Sequence, residues 1–88
     1  NAALSRQDAM VILKKTADAL GVTLPARKGT LSQFSDADKI ADYAVEAAQA
    51  LVSAGVINGS NGKLNPRSSI SRAEMAAVLY RVLLLKSK

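Results

Sequence analysis

Three stretches of this chain place apolar residues at helical spacings of three and four, and residues that start or stop helices bound each of them. In the first, Ala9, Ile12, Leu13, Thr16 and Leu20 share one face. Ser5-Arg6-Gln7-Asp8 precedes that face as a capping box with Asp in place of the usual Glu, and Gly21 follows as a residue suited to a left-handed C-terminal cap. The pattern predicts a helix over about residues 5–20. Periodicity then lapses to Gln33 through Pro25, the pair Arg27-Lys28 and Gly29, which reads as a linker carrying solvated charges.

Phe34-Ser35-Asp36 supplies an apolar anchor and two candidate caps for a second helix, over about residues 38–54. Its expected buried positions are Ile40, Tyr43 or Ala44, Ala47, Leu51 and Ala54, and Ala44, Ala47, Ala48 and Ala50 permit close helix approach. Gly55 stops it. Asn58 to Pro66 is dense in turn formers and predicts a tight hairpin or paired turns. Ser71-Arg72-Ala73-Glu74 is a full capping box for a third helix, over about residues 71–85, expected to bury Met75, Val78, Leu79 and Val82, with Ile70 as a hydrophobic staple.

The first and third helices open alike. Leu4-Ser5-Arg6-Gln7-Asp8 returns as Ile70-Ser71-Arg72-Ala73-Glu74 without gaps, and Ile12-Leu13 then aligns with Val78-Leu79. Repetition of this kind marks part of an array built from one helical unit.

Composition narrows the class. The chain is 49% hydrophobic but only 3% aromatic, with Phe34, Tyr43 and Tyr80 as the whole aromatic set. A core of Ala, Leu, Val and Ile favours packed helices, so the fold expected is all-α, three main helices joined by short turns and loops. With no Cys and no His, thiolate metal sites, disulfides and imidazole chemistry are excluded, and no catalytic residue, metal site or cofactor is expected. The Asn58–Asn65 loop resembles a calcium loop in its polar spacing but contains no carboxylate. A net charge of +5 points to an anionic partner. The longest apolar runs, such as Val82-Leu83-Leu84-Leu85, are too short to span a bilayer, so no membrane insertion is expected. The start at Asn1 without methionine suggests an excised fragment.

The ordered set Phe34-Ser35-Asp36, a helix with an aromatic at Tyr43, Ala54-Gly55-Val56-Ile57-Asn58-Gly59, Asn61-Gly62-Lys63-Leu64-Asn65-Pro66 and Ile70-Ser71-Arg72-Ala73-Glu74 resembles the S-layer homology family. On this resemblance residues 1–21 are the C-terminal helix of a preceding motif, 22–33 a linker and 34–88 one complete motif. The resemblance implies a non-covalent anchor of a bacterial surface protein, extracellular at the cell wall, whose partners are an acidic, often pyruvylated, secondary wall polysaccharide and adjacent motifs of a longer chain. In the family the arginine of a Thr-Arg-Ala-Glu signature helps hold the glycan between motifs, and Arg6 and Arg72 match it. Both signature threonines are serine here, Gln7-Asp8 replaces Ala-Glu in the first copy, Tyr43 stands where tryptophan is common and Leu64 where phenylalanine is usual.

The candidate ligand-binding residues are therefore Arg6, Asp36, Tyr43, Gly59 and Arg72, with Ser5, Asp8, Ser71 and Glu74 as structural caps. A cation at the first helical position opposes the macrodipole, which favours a functional role for Arg6 and Arg72, their guanidinium groups converging with helix N-terminal amides on a glycan carboxylate. The structural alternative is an ion pair to Asp36 or Glu74. Asp36 is equally suited to capping, and Gly59 to backbone geometry. Two other classes compete: a self-assembly module using the alanine-rich faces, and a basic helix-turn-helix binder of nucleic acid. The second is disfavoured because Asp38, Asp42 and Glu46 crowd the middle helix, and no nucleic-acid partner is expected. Self-association of the fragment is expected where a repeat face lacks its neighbour.

Overall fold

The computed structural model describes residues 4–24, 31–59 and 62–86. The linker residues Pro25, Arg27, Lys28 and Gly29, and the tip of the turn at Ser60-Asn61, lie outside them. The described chain is all-α: α1 (Arg6–Ala19), α2 (Asp42–Ser53) and α3 (Arg72–Lys86), with short 3₁₀ turns at Leu31–Gln33 and Ala37–Lys39 between the first two.

α1 and α2 end in the same way. The amide of Val22 donates to the Ala17 carbonyl at 2.8 Å and that of Gly21 to Asp18 at 3.2 Å; Val56 donates to Leu51 at 3.2 Å and Gly55 to Val52 at 3.0 Å. Both are Schellman motifs, with Gly21 and Gly55 at φ of 73° and 80° where a side chain would be strained. Each turns the following valine inward, and Val22 and Val56 are both buried.

The core lies between α1 and α2. Ala9, Met10, Leu13 and Ala17 of α1 pack toward Ala44, Ala47, Ala48, Leu51 and Val52 of α2, with Phe34, Ile40 and Leu64 closing the ends. The buried face of α1 is rotated from the one expected: Ile12 and Leu20 are exposed, whereas Met10 and Ala17 are buried, which sets Ala9 and Ala17 on the face that meets the alanine-rich surface of α2. α2 begins at Asp42, four residues later than expected. Lys39 and Ile40 donate back to Asp36 and Ala37 and close a 3₁₀ turn, after which Ile40 becomes extended (ψ 129°) and points into the core. Tyr43 is 63% exposed, so Ala44 occupies the buried position.

α3 packs against α1 more lightly than α2 does. Of the four residues expected to be buried on it, only Val82 is; Met75, Val78 and Leu79 are half-buried. Apolar residues surround this helix, so no single face can enter a core, and Tyr80, Leu83 and Leu84 are exposed. No described helix is long and apolar enough to cross a membrane.

Candidate ligand-binding groove

The two copies of the repeated segment meet. Ser5 pairs antiparallel with Ser69, Ile70 donates to the Leu4 carbonyl at 2.9 Å, Arg6 to Ser68 at 2.8 Å and Gln7 to Pro66 at 2.9 Å. The Asp8 amide donates to Ser5 Oγ at 3.2 Å. The first-turn amides of α1 are thus taken up by the segment leading into α3 and by Ser5, which removes them from the anion-binding arrangement expected there. In α3, Glu74 donates to Ser71 Oγ at 3.1 Å while Ser71 donates to Glu74 Oε1 at 3.3 Å, a reciprocal capping box.

This junction opens into a groove of about 420 Å³ between α1, the turn after α2, the 63–65 segment and α3. Its floor is apolar, built from Met10, Leu13, Val56 and Leu64, and Asn58 and Asn65 line it beside backbone of Gly59. Arg6, Lys63 and Arg81 bring three cations to its walls and Glu74 brings one acid. Arg81 is held in place by donating to the Val56 carbonyl at 3.2 Å. Arg6 Nη2 donates to Glu74 Oε2 at 2.5 Å, an ion pair whose side chains remain 28% and 46% exposed. The Arg6 guanidinium, seconded by the Ser71 amide, holds the Glu74 carboxyl below its ordinary range.

Of the five residues expected to contact ligand, the groove brings together Arg6 and Gly59. Gly59 fits there because a β-carbon would lie 2.6 Å from Phe34 Cε1 and 2.7 Å from the Lys63 carbonyl oxygen. Asp36 is buried behind the groove wall. Its Oδ1 accepts from the Leu64 amide at 2.9 Å and its Oδ2 from the Asn65 amide at 2.8 Å, which pins the segment carrying Lys63 and holds Asn65 in the left-handed region at φ 52°. Burial pushes this carboxyl up, but the Leu64 and Asn65 amides, with its own backbone amide and the Lys63 charge, together outweigh it and hold its pKa below the ordinary value. Arg72 sits exposed at the start of α3, away from this groove.

Tyr43 also lies outside the groove, and its hydroxyl donates to Asp8 Oδ1 at 2.5 Å. That hydrogen bond, then desolvation, raises the phenol pKa above its ordinary value. The adjacent Gln7 is buried, 9% exposed, and its Oε1 accepts from the Ala41 amide at 2.9 Å. Ala41 is the N-cap of α2 and has no side chain with which to cap, so α1 supplies the acceptor that a capping box would place within α2 itself. The two residues at which the first copy departs from Ala-Glu are the two that bind α1 to the start of α2.

Sequence reasoning missed Lys63, Arg81, Asn58 and Asn65 as groove residues. Lys63 stands in a turn and Arg81 on an apolar helix, and only the folding of the turn against α3 brings them together. The net charge of +5 was the available signal, without an address.

Residues 33–76 match the S-layer homology domain. Over 58 residues, 65% of this chain, the sequence is 48% identical to a surface-layer 125 kDa protein of Lysinibacillus sphaericus, of which that stretch spans 5%. No solved structure shows a significant match. The family match covers half of the chain, from the Phe34 anchor through the capping box of α3, and with it the turn that forms one wall of the groove: the chain belongs to the S-layer homology domain family.

Proposed function

We propose that this chain is a non-covalent anchoring module of a bacterial surface protein, acting outside the cell at the cell wall, and that its groove binds an anionic, pyruvylated secondary wall polysaccharide. The observation that carries the reading is the convergence of Arg6, Lys63 and Arg81 around an apolar floor at the junction of two repeat copies. Guanidinium and ammonium groups recognise carboxylates, the asparagine amides suit sugar hydroxyls, and the apolar floor accepts the less polar face of a pyranose ring. The ligand contacts assigned are Arg6, Lys63, Arg81 and the backbone at Gly59; Asp36 positions the Lys63 turn. Arg72, equivalent in register to Arg6, serves the corresponding groove with a following motif.

Isothermal titration with purified wall polysaccharide, the same polymer stripped of pyruvate, and duplex DNA tests this. Binding to the pyruvylated polymer, weakened by Lys63→Ala and Arg81→Ala, is the expected result. Retention of DNA in preference to either polysaccharide would overturn it. α2 carries Asp42 and Glu46 and no basic residue, which speaks against DNA.

A second reading, self-assembly through apolar helix faces, is supported by α3. At the repeat offset, the buried α1 residues Ala9, Met10, Leu13 and Ala17 correspond to Met75, Ala76, Leu79 and Leu83. α2 covers the first set, whereas Ala76 and Leu83 are exposed. An α2-like helix from an adjacent motif, or from a second copy, would complete this face.

A further inference from the structure

We propose that Glu74 sets the selectivity of the groove by occupying Arg6 in place of an external carboxylate, so that Arg6 is yielded only to an acid that Lys63 and Arg81 also bind. This rests on the anchoring reading for the nature of the natural ligand, but the carboxylate competition itself does not.

Glu74 divides its two oxygens. Oε1 accepts from the Ser71 amide and closes the capping box, while Oε2 accepts from Arg6 Nη2 across the groove wall. The first bond fixes the rotamer that makes the second, because the capping box holds the carboxylate at the end of α3 that faces α1. A carboxylate bonded to a guanidinium at the lip of a ligand groove has the chemistry of a bound acid, and it is present at full local concentration whether or not ligand is there. Among the described residues, Arg6 carries this one side-chain hydrogen bond.

A lone external carboxylate meets a guanidinium whose charge Glu74 already neutralises, and it gains the full interaction only by displacing Glu74 from Nη2. An acidic sugar that also reaches Lys63, Arg81 and the apolar floor exceeds that exchange. The groove therefore discriminates against small free acids, and the discrimination resides in Glu74. Gln is the informative substitution, because Glu74→Gln keeps an acceptor for the Ser71 amide while removing the charge.

The experiment titrates sodium pyruvate, and separately the pyruvylated wall polysaccharide, into the full chain while NMR follows the Arg6 side-chain Nε and the Glu74 carboxyl carbon. Glu74→Gln is expected to bind pyruvate at Arg6 up to about fivefold more tightly than wild type, the factor given by the upper end of a partly exposed ion pair. Removing Arg6 as well, in Arg6→Ala/Glu74→Gln, abolishes that gain. In wild type, the polysaccharide moves the Arg6 and Glu74 resonances together. Equal pyruvate affinity in wild type and Glu74→Gln, or no response of Arg6 in the variant, overturns the proposal, as does polysaccharide binding that leaves the Arg6–Glu74 pair undisturbed. If pyruvate shows the gain while neither protein binds the polymer, the competition stands and the anchoring reading fails.

Discussion

Removing the Gln7 acceptor should destabilise the fold by more than an ordinary polar substitution. Its Oε1 is the partner of the Ala41 amide at 2.9 Å, and Ala41 caps α2 with no side-chain hydrogen bond of its own. Gln7→Met preserves the length and most of the packing of a residue that is 9% exposed, but it leaves that amide without an acceptor. An unsatisfied donor costs roughly 1–3 kcal/mol, and because the bond is only partly buried, water recovers some of it, so about 1–2 kcal/mol is expected. For a domain of this size each kcal/mol moves Tm by roughly 4–8 °C, which places the shift at about 4–16 °C. Gln7→Ala should lose more, since it also removes the buried volume of the side chain. Thermal and urea unfolding followed by circular dichroism measure the loss, and amide exchange at Ala41 locates it, because that amide alone should lose protection out of proportion to global stability. A Gln7→Met protein melting within about 1 °C of wild type, with Ala41 still protected, would refute the reasoning and make Gln7 a packing residue only.

Further outcomes follow from the same geometry. Ser71→Ala should cost about 0.5–2 kcal/mol in urea unfolding, since it opens the reciprocal box at the start of α3. Asp36 has a folded-state pKa below its unfolded value, so its contribution is present above the ordinary carboxyl range and is lost as pH falls through the folded value. Wild type should therefore lose stability below about pH 4, and Asp36→Asn should show a flatter acid limb in urea titrations. Asp8→Ala should lower the Tyr43 phenol midpoint, read by ultraviolet titration with Tyr80→Phe as background. The uncovered α3 face should drive association at high concentration, detected by sedimentation equilibrium; Leu83→Glu should abolish it, and a monomer over the whole range would exclude it.

What the sequence makes legible here is what local chemistry alone determines. Both Schellman ends and both serine caps follow from residues within six positions of one another, and α1 and α3 begin where their serine caps require. The start of α2 is different. Ile40, Ala44, Ala47 and Leu51 fall on one helical stripe whether the helix begins at Asp38 or at Asp42, so periodicity alone does not separate a longer helix from a turn that tucks Ile40 inward. The groove is less legible still, because its walls are joined by bonds between residues far apart in the sequence, 68 positions for Arg6 to Glu74 and 25 for Arg81 to Val56.

The departures from the repeat are contacts between helices. Gln7-Asp8 in the first copy and Ala73-Glu74 in the second begin equivalent helices, yet the first pair reaches Ala41 and Tyr43 on α2, whereas Glu74 reaches back to Arg6. The difference in residue follows a difference in surroundings: α1 meets the uncapped start of a following helix, while α3 has no such helix beside it among the described residues. A buried glutamine in a position otherwise filled by alanine is therefore a contact specific to one junction, and it appears in sequence as an imperfection of the repeat. In such arrays, the positions where one copy breaks the pattern are the positions at which to look for the side chains that join it to its neighbour.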